Sequence, residues 1–370
     1  MRIERIELRV LTLPLVRFFE TSFGRVSERS FVLVTLEEAG AVGVGECVAD
    51  AHPYYSSETT RTAWHVIADF IAPLVLGKSF DHPREILPAL SRIRGHNMAK
   101  AAVEMAAWDL YARQQRASLS EILGGTRSAV EAGVSIGIQD SLDELVERVG
   151  IERAAGYRRV KIKIKPGWDV EAVARIRQAC GAVPLMVDAN AAYTLEDAAH
   201  LAELDRFNLL MIEQPLEYDD IRDHARLQRL LRSDICLDES IDGIRAAAEA
   251  IEQGACRVIN IKPGRLGGFA ASLAVHDLAA ANGIPVWHGG MLESGIGRAH
   301  NLHLSTLPNF TLPGDVAASR RYYAPDVIDP EIVMADDGTI AVPSGPGIGV
   351  HIVPDRIAAA TTERMELRVA

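Results

Sequence analysis

One spacing constrains this chain more than any other. Between Lys161 and His288, single polar residues recur every 24 or 25 positions, each at the downstream end of an apolar, β-branched run. Lys163 follows Val160-Lys161-Ile162, Asp188 follows Leu185-Met186-Val187, Glu213 follows Leu209-Leu210-Met211-Ile212, and Asp238 and Lys262 continue the series. Each interval has room for a strand, a loop and a short helix. Parallel strands need long return crossovers, and several equal crossovers in succession favour a closed (β/α) barrel over an open sheet. The expected fold class is therefore α/β. In such a barrel the strand ends that turn toward the helices carry the chemistry.

Asp188, Glu213 and Asp238 converge on that mouth, where three carboxylates repel one another unless a divalent cation sits between them. Oxygen-only ligands point to Mg²⁺ or Mn²⁺. Lys161 and Lys163 alternate with Ile162 and so both face the barrel interior; outside the repeat, the same pair would read as a solvated strand edge. Two lysines on one inward face disfavour each other's charge, which inclines an amine toward the neutral form that a general base needs. Lys262, in Asn260-Ile261-Lys262-Pro263, ends a strand four units after that of Lys163. In an eight-fold barrel those strands are opposed, so the two amines face each other across the mouth. A substrate carbon between them is open to proton removal on one face and to proton return, or clamping of the anion, on the other. Asn190 points the same way as Asp188. Glu239 alternates to the other side and reads as a support behind the ligands. His288, after Val286-Trp287 and before Gly289-Gly290, lies near the mouth in a supporting role.

At 370 residues the chain is too long for one small domain. Residues 2–14 alternate charged and apolar side chains, and Phe31 to Leu36 with Ala41 to Glu46 reads as a hairpin turning at Ala39-Gly40. Asn97 to Gln115 has an amphipathic helical spacing with Asn97 as its N-cap, so the first part is α+β. Gly124-Gly125-Thr126 marks the change, and Val134-Ser135-Ile136 reads as the first barrel strand. Phe18 to Gly24 and Ala51 to Tyr55 place aromatics in polar loops; they are either core residues beneath a connector or lids over a substrate with an apolar part. A net charge of −11 without a basic cluster argues against nucleic acid and anionic membranes as partners. No apolar run reaches the length of a membrane span, and Met1-Arg2-Ile3-Glu4 opens a charged strand rather than a signal sequence, so a cytoplasmic protein is expected. Cys47, Cys180, Cys236 and Cys256 form no CxxC pair and read as buried free thiols.

Taken together, these motifs resemble the enolase superfamily, in its muconate-lactonizing subgroup, over essentially the whole chain. That subgroup carries Lys-x-Lys on the second barrel strand, Asp-x-Asn on the third, Glu-Gln-Pro on the fourth, Asp-Glu-Ser on the fifth and Lys on the sixth. Here the pattern stands as Lys161-Ile162-Lys163, Asp188-Ala189-Asn190, Glu213-Gln214-Pro215, Asp238-Glu239-Ser240 and Lys262. Asn260 to Arg265, Gly289 to Arg298 and Pro308 to Asp315 are similar to the o-succinylbenzoate synthase / N-succinylamino acid racemase division. Dipeptide epimerases carry Asp-x-Asp where this chain has Pro313-Gly314-Asp315. Mandelate racemase relatives pair an Asp on strand six with a His on strand seven, and Lys262 replaces that Asp.

The resemblance implies a (β/α)7β modified TIM barrel over residues 126–324. An α+β capping domain over residues 1–125 would be completed by a C-terminal segment from about 325 to 370. It also implies Mg²⁺, or Mn²⁺, on Asp188, Glu213 and Asp238, with Lys163 and Lys262 as the catalytic pair. Substrate contacts are implied at Ser135, Lys161, Asn190, Gly290, Met291, Leu292, Phe19 and Phe23. The substrate would be a small-molecule carboxylate that loses its α-proton. The outcome is either dehydration to 2-succinylbenzoate in menaquinone biosynthesis or racemisation of N-succinylamino acids. Dipeptide epimerisation and muconate cycloisomerisation are the alternatives, and a non-enzymatic barrel is the remote one. A homo-oligomer, dimer or octamer, is implied as well.

Overall fold

The computed structural model describes residues 1–369. The chain opens with β1 (Arg5–Thr21), β2 (Gly24–Glu38) and β3 (Ala41–Cys47), an antiparallel meander. The β2–β3 turn is the Ala39-Gly40 pair anticipated, with φ of 48° and 81° and Glu38 opposite Ala41. Phe18 to Gly24 is not a loop but the tip of the β1–β2 hairpin. Phe19 pairs with Val26 and Thr21 with Gly24 after a register shift beyond Pro14, which has no N–H to give the ladder.

A long helix, α1 (Asn97–Gln114), packs on this sheet. Contact is so close that a Cβ on Gly45 would stand 2.0 Å from the Ala102 carbonyl oxygen, and one on Gly43 2.3 Å from that of Ala106. The helix is buried on nearly all sides rather than amphipathic, because the sheet covers one face and barrel segments cover another. Asn97 is not the N-cap. It is the first helical residue, after a left-handed His96, and its amide donates to the Asp242 and Arg265 carbonyls of the barrel, both at 3.0 Å. The free N–H groups of Met98 and Ala99 go instead to the carboxylate of Glu58, at 2.8 and 3.0 Å.

The barrel strands follow: β4 (Gly133–Ile136), β5 (Arg159–Lys163), β6 (Leu185–Asp188), β7 (Ile212–Glu213), β8 (Ile235–Leu237), β9 (Val258–Ile261) and β10 (Val286–His288). They hydrogen-bond in chain order, all parallel. Helices return the chain between and after them, among them α2 (Leu142–Ala154), α3 (Val170–Cys180), α4 (Arg222–Leu230), α5 (Ile244–Gln253), α6 (Phe269–Ala281) and α7 (Gly295–Leu304). The ring closes without a regular eighth strand. Phe310 bridges Val286 and Gly314 bridges Ala132, both parallel, while Pro313 denies the segment a full ladder.

Met186, Met211, Cys236, Val258 and Trp287 form one apolar cluster from five neighbouring strand positions, so the barrel interior is packed core. The C-terminal strand β11 (Thr361–Arg368) returns to pair antiparallel with β1, Arg368 opposite Arg5. Two carboxylates of the N-terminal region cap barrel helices. Glu104 receives the Phe269 and Ala270 N–H groups at the start of α6, and Glu46 those of Ser294 and Gly297 at the start of α7. All four cysteines are free, with Cys180 only partly buried. No helix among the described residues is long and apolar enough to cross a membrane.

Candidate active site

Strand alternation delivers the polar residues to one layer. Two positions beyond Met186, Met211, Cys236, Val258 and Trp287 stand Asp188, Glu213, Asp238, Asn260 and Gly289. Lys161 Nζ lies 2.9 Å from Glu213 Oε2, 3.0 Å from Asp315 Oδ2 and 3.1 Å from Asp188 Oδ2. Lys163 Nζ donates to Asp188 Oδ2 at 2.5 Å and to Asn190 Oδ1 at 2.7 Å. Lys262 Nζ donates to Asp238 Oδ2 at 2.7 Å and to the Tyr55 hydroxyl at 3.1 Å, while Arg265 holds the other Asp238 oxygen. Asn260 Nδ2 donates to Glu213 Oε1 at 2.6 Å. A side chain at position 289 would displace Asn260 and Lys262, since a Cβ there would stand 2.3 Å from Asn260 Oδ1 and 2.6 Å from Lys262 Cε. Just past β6 and β7, Asn190 and Gln214 hold left-handed backbones (φ 43° and 37°) that non-glycine residues keep only where their surroundings impose them.

The charges interlock. Burial alone would raise the Asp188 carboxyl, but Lys163 and Lys161 outweigh it and hold it well below the usual carboxylate range. Burial and the charge of Asp188 push Glu213 up to about 7. Lys161 bonds to both, yet their directions differ because Asp188 has a second lysine in contact and Glu213 has none. Mutual repulsion between lysines does not govern Lys161: burial lowers it, but Asp315, Glu213 and Asp188 together raise it well above an ordinary lysine. Lys262 is likewise raised, against burial, chiefly by Asp238.

As placed, the carboxylates turn onto lysines rather than onto a common point. Among the described residues no three His, Cys, Asp or Glu side chains form a ready group for an ion. The donor set still fits a hard dication. Asp188, Glu213 and Asp238 offer only oxygen from three neighbouring strand ends, the donor chemistry that such an ion takes.

Above this layer lies a cavity of about 550 Å³, counting its open mouth. Lys163, Asn190 and Lys262 line it from the barrel, Phe19 and Phe23 from the hairpin tip, and Gly290, Met291 and Leu292 from the turn after β10. The tip is fastened to the barrel: Ser22 Oγ donates to the Asn190 carbonyl at 3.2 Å, and Ile138 N to the Glu20 carbonyl at 2.9 Å. Phe23 is 38% exposed and Tyr54 63%, and their rings stand 6.4 Å apart, so the two aromatic stretches meet at the mouth rather than in the core. Ser135 and Lys161 do not reach this cavity. Ser135 Oγ donates to Asp315 Oδ2 at 2.8 Å, and the Lys161 ammonium is occupied by three carboxylates. Glu239 stands behind Asn190, accepting from its Nδ2 at 2.9 Å.

The sequence reading missed Asp315, Asn260, Arg265 and Tyr55. Asn260 precedes Lys262 by two, so the alternation used for the lysines could have found it. Arg265 lies within a motif already singled out. Asp315 and Tyr55 also lie in stretches already singled out, the closing segment and the aromatic connector after β3, but nothing local marks either as a partner of a lysine.

His288 is not brought to the carboxylates. Its neighbour Trp287 fills the barrel interior, so the imidazole takes the opposite face, stacked on Phe310 at 6.5 Å with neither ring nitrogen hydrogen-bonded. Burial pushes it down to about 4. The neutral ring therefore supports the fold fully above the unfolded value near 6.5, and that support is lost as pH falls from there toward 4. We predict that His288→Phe keeps turnover close to that of the unaltered protein. It should also remove on the order of 3 kcal/mol of acid-induced destabilisation over that window. Urea unfolding at several pH values checks the second part; an unchanged acid limb contradicts it.

Residues 5–124 match the family described as Mandelate racemase / muconate lactonizing enzyme, N-terminal domain, and residues 144–356 that described as Enolase C-terminal domain-like. The chain is 51% identical to an o-succinylbenzoate synthase of Geobacillus kaustophilus, covering 95% of this chain and 93% of that protein. It is 50% identical to an N-succinylamino acid racemase of Thermus thermophilus, with 95% of each covered. A solved enolase-superfamily member from Listeria innocua superposes with a TM-score of 0.96 at 39% identity, covering 100% of this chain and 99% of that one.

Proposed function

Because the chain belongs to the mandelate racemase / muconate lactonizing enzyme family of the enolase superfamily, whose members typically use a divalent metal, we propose an α-proton abstraction with two outcomes. One is racemisation of N-succinylamino acids; the other is dehydration that yields 2-succinylbenzoate. The observation that carries this reading is that Lys163 and Lys262 line one cavity from β5 and from the end of β9, each amine beside a carboxylate. A dication, Mg²⁺ or Mn²⁺, held by Asp188, Glu213 and Asp238 would neutralise the substrate carboxylate and make the adjacent C–H more acidic.

Lys163 takes the α-proton. Lys262, on the other side, returns a proton to the opposite face in racemisation; in dehydration it holds the anion while Lys163 passes the proton it took to the departing β-hydroxyl, which leaves as water. Asn190 orients Lys163 through its 2.7 Å hydrogen bond, and Glu239 fixes the Asn190 amide. Phe19, Phe23, Met291 and Leu292 shield the apolar part of the substrate from water. Lys161 and Ser135 act from below, Lys161 by holding three carboxylates together and Ser135 by holding Asp315. We read residues 126–324 as the catalytic barrel and 1–125 with about 325–370 as the cap. Following the family, we also propose a cytoplasmic homo-oligomer.

The test is α-proton NMR of an N-succinylamino acid in deuterium oxide, run beside an assay for 2-succinylbenzoate formation. Deuterium exchange should appear with Mg²⁺, stop on adding chelator and return when Mg²⁺ is restored. Absence of both exchange and dehydration under these conditions refutes the reading.

A further inference from the structure

The two lysines are held in different ways. A lysine ammonium has three donors on a flexible stem, so its aim depends on what occupies the first two. For Lys163 both acceptors belong to the barrel, Asp188 Oδ2 and Asn190 Oδ1. For Lys262 one acceptor is barrel Asp238, but the other is the hydroxyl of Tyr55, from the connector after β3. That hydroxyl accepts from Lys262 at 3.1 Å and from Arg265 Nη1 at 3.5 Å, and donates to Asp238 Oδ1 at 3.1 Å. The Lys262 ammonium also stands 4.5 Å from the centroid of the Tyr55 ring. Tyr55 borders the cavity that holds both lysines and, beside Glu239 and Arg265, a second one between connector and barrel. It is thus the wall between the two.

We propose that Tyr55 is a positioning residue for Lys262 alone, so that one proton-transfer face works only while the connector is seated and the other works without it. The inference rests on reading Lys163 and Lys262 as a two-faced pair. Removing the hydroxyl frees one Lys262 donor and one Asp238 oxygen contact, whereas both Lys163 hydrogen bonds go to barrel residues, and the cap's bond to Asn190 comes from Ser22 of the hairpin tip rather than from the connector. A misaimed amine loses rate steeply, because proton transfer requires the acceptor within hydrogen-bond reach of the carbon-bound proton.

The experiment uses Tyr55→Phe, which keeps the ring. Both enantiomers of an N-succinylamino acid are followed by α-proton NMR in deuterium oxide with Mg²⁺. The enantiomer belonging to Lys262 is the one that still exchanges in Lys163→Ala. Its exchange should fall about tenfold or more in Tyr55→Phe, while exchange of the other enantiomer is unchanged. Equal slowing of both, no slowing, or selective slowing of the Lys163 enantiomer overturns the proposal. So does a rise in KM alike for both enantiomers, which would make Tyr55 a substrate contact. A failure of the two-lysine reading shows separately, in lysine variants that do not exchange opposite enantiomers. If Tyr55→Phe does not fold, as judged by circular dichroism, Tyr55→Leu carries the same comparison, since it too has no group to accept from Lys262 or donate to Asp238.

Discussion

Lys163→Ala and Lys262→Ala are each expected to abolish racemisation, by about a thousandfold or more, because a transfer between faces needs a base on one side and an acid on the other. Exchange should not vanish equally. Each variant still washes deuterium into the one enantiomer whose α-proton faces the surviving lysine, with configuration unchanged. Both variants should fold, because each deletion leaves its carboxylate a second cation: Lys161 remains on Asp188, and Arg265 remains on Asp238. Lys163→Arg should behave like the alanine variant, since a guanidinium stays protonated and cannot accept the proton. The measurement is α-proton NMR of both enantiomers with each variant. If either variant racemises normally, or both exchange the same enantiomer, the two-faced mechanism is wrong.

Asp238→Asn is the second large effect, and it has two readouts. Asp238 is fully buried and carries Lys262 and Arg265, so losing its charge leaves two buried cations under-compensated. Breaking a buried pair in this way costs on the order of 3–5 kcal/mol, seen as a lower urea midpoint. The variant should nevertheless remain folded at room temperature, because the amide keeps part of the hydrogen bonding to Tyr55, Lys262 and Arg265. Activity should be absent at millimolar-scale Mg²⁺, since one anionic oxygen donor is gone. Binding that favours the folded state raises its stability, so Mg²⁺ should raise the thermal midpoint of the unaltered protein and leave that of Asp238→Asn unmoved. Near-normal turnover, or an equal thermal shift in both proteins, would remove Asp238 from the ion-binding set.

Much of the barrel and the centre of its site were legible in the residues alone. A strand presents alternate side chains to opposite faces, so Lys161 and Lys163 had to share a face, and a repeat of 24 or 25 residues had to bring Asp188, Glu213 and Asp238 to successive strand ends. Those are local regularities repeated along the chain, and the sequence carries them in full. The phase of alternation is legible only where the strand's own pattern is unambiguous. In Val286-Trp287-His288 it is not, and the inward place went to the indole that fills the space beside Met186, Met211, Cys236 and Val258.

The tertiary structure decided the rest, because it turns on contacts between distant segments that leave no local mark. Glu58 caps α1 from 40 residues away, which releases Asn97 to bind the barrel. Asp315 reaches Lys161 because the closing segment bridges Val286 and Ala132 without forming a strand. Tyr55 reaches Lys262 from 207 positions earlier, from a connector whose sequence shows only an aromatic among polar residues. Periodicity specifies which face a residue takes within its own element, but only packing between elements specifies what it meets there.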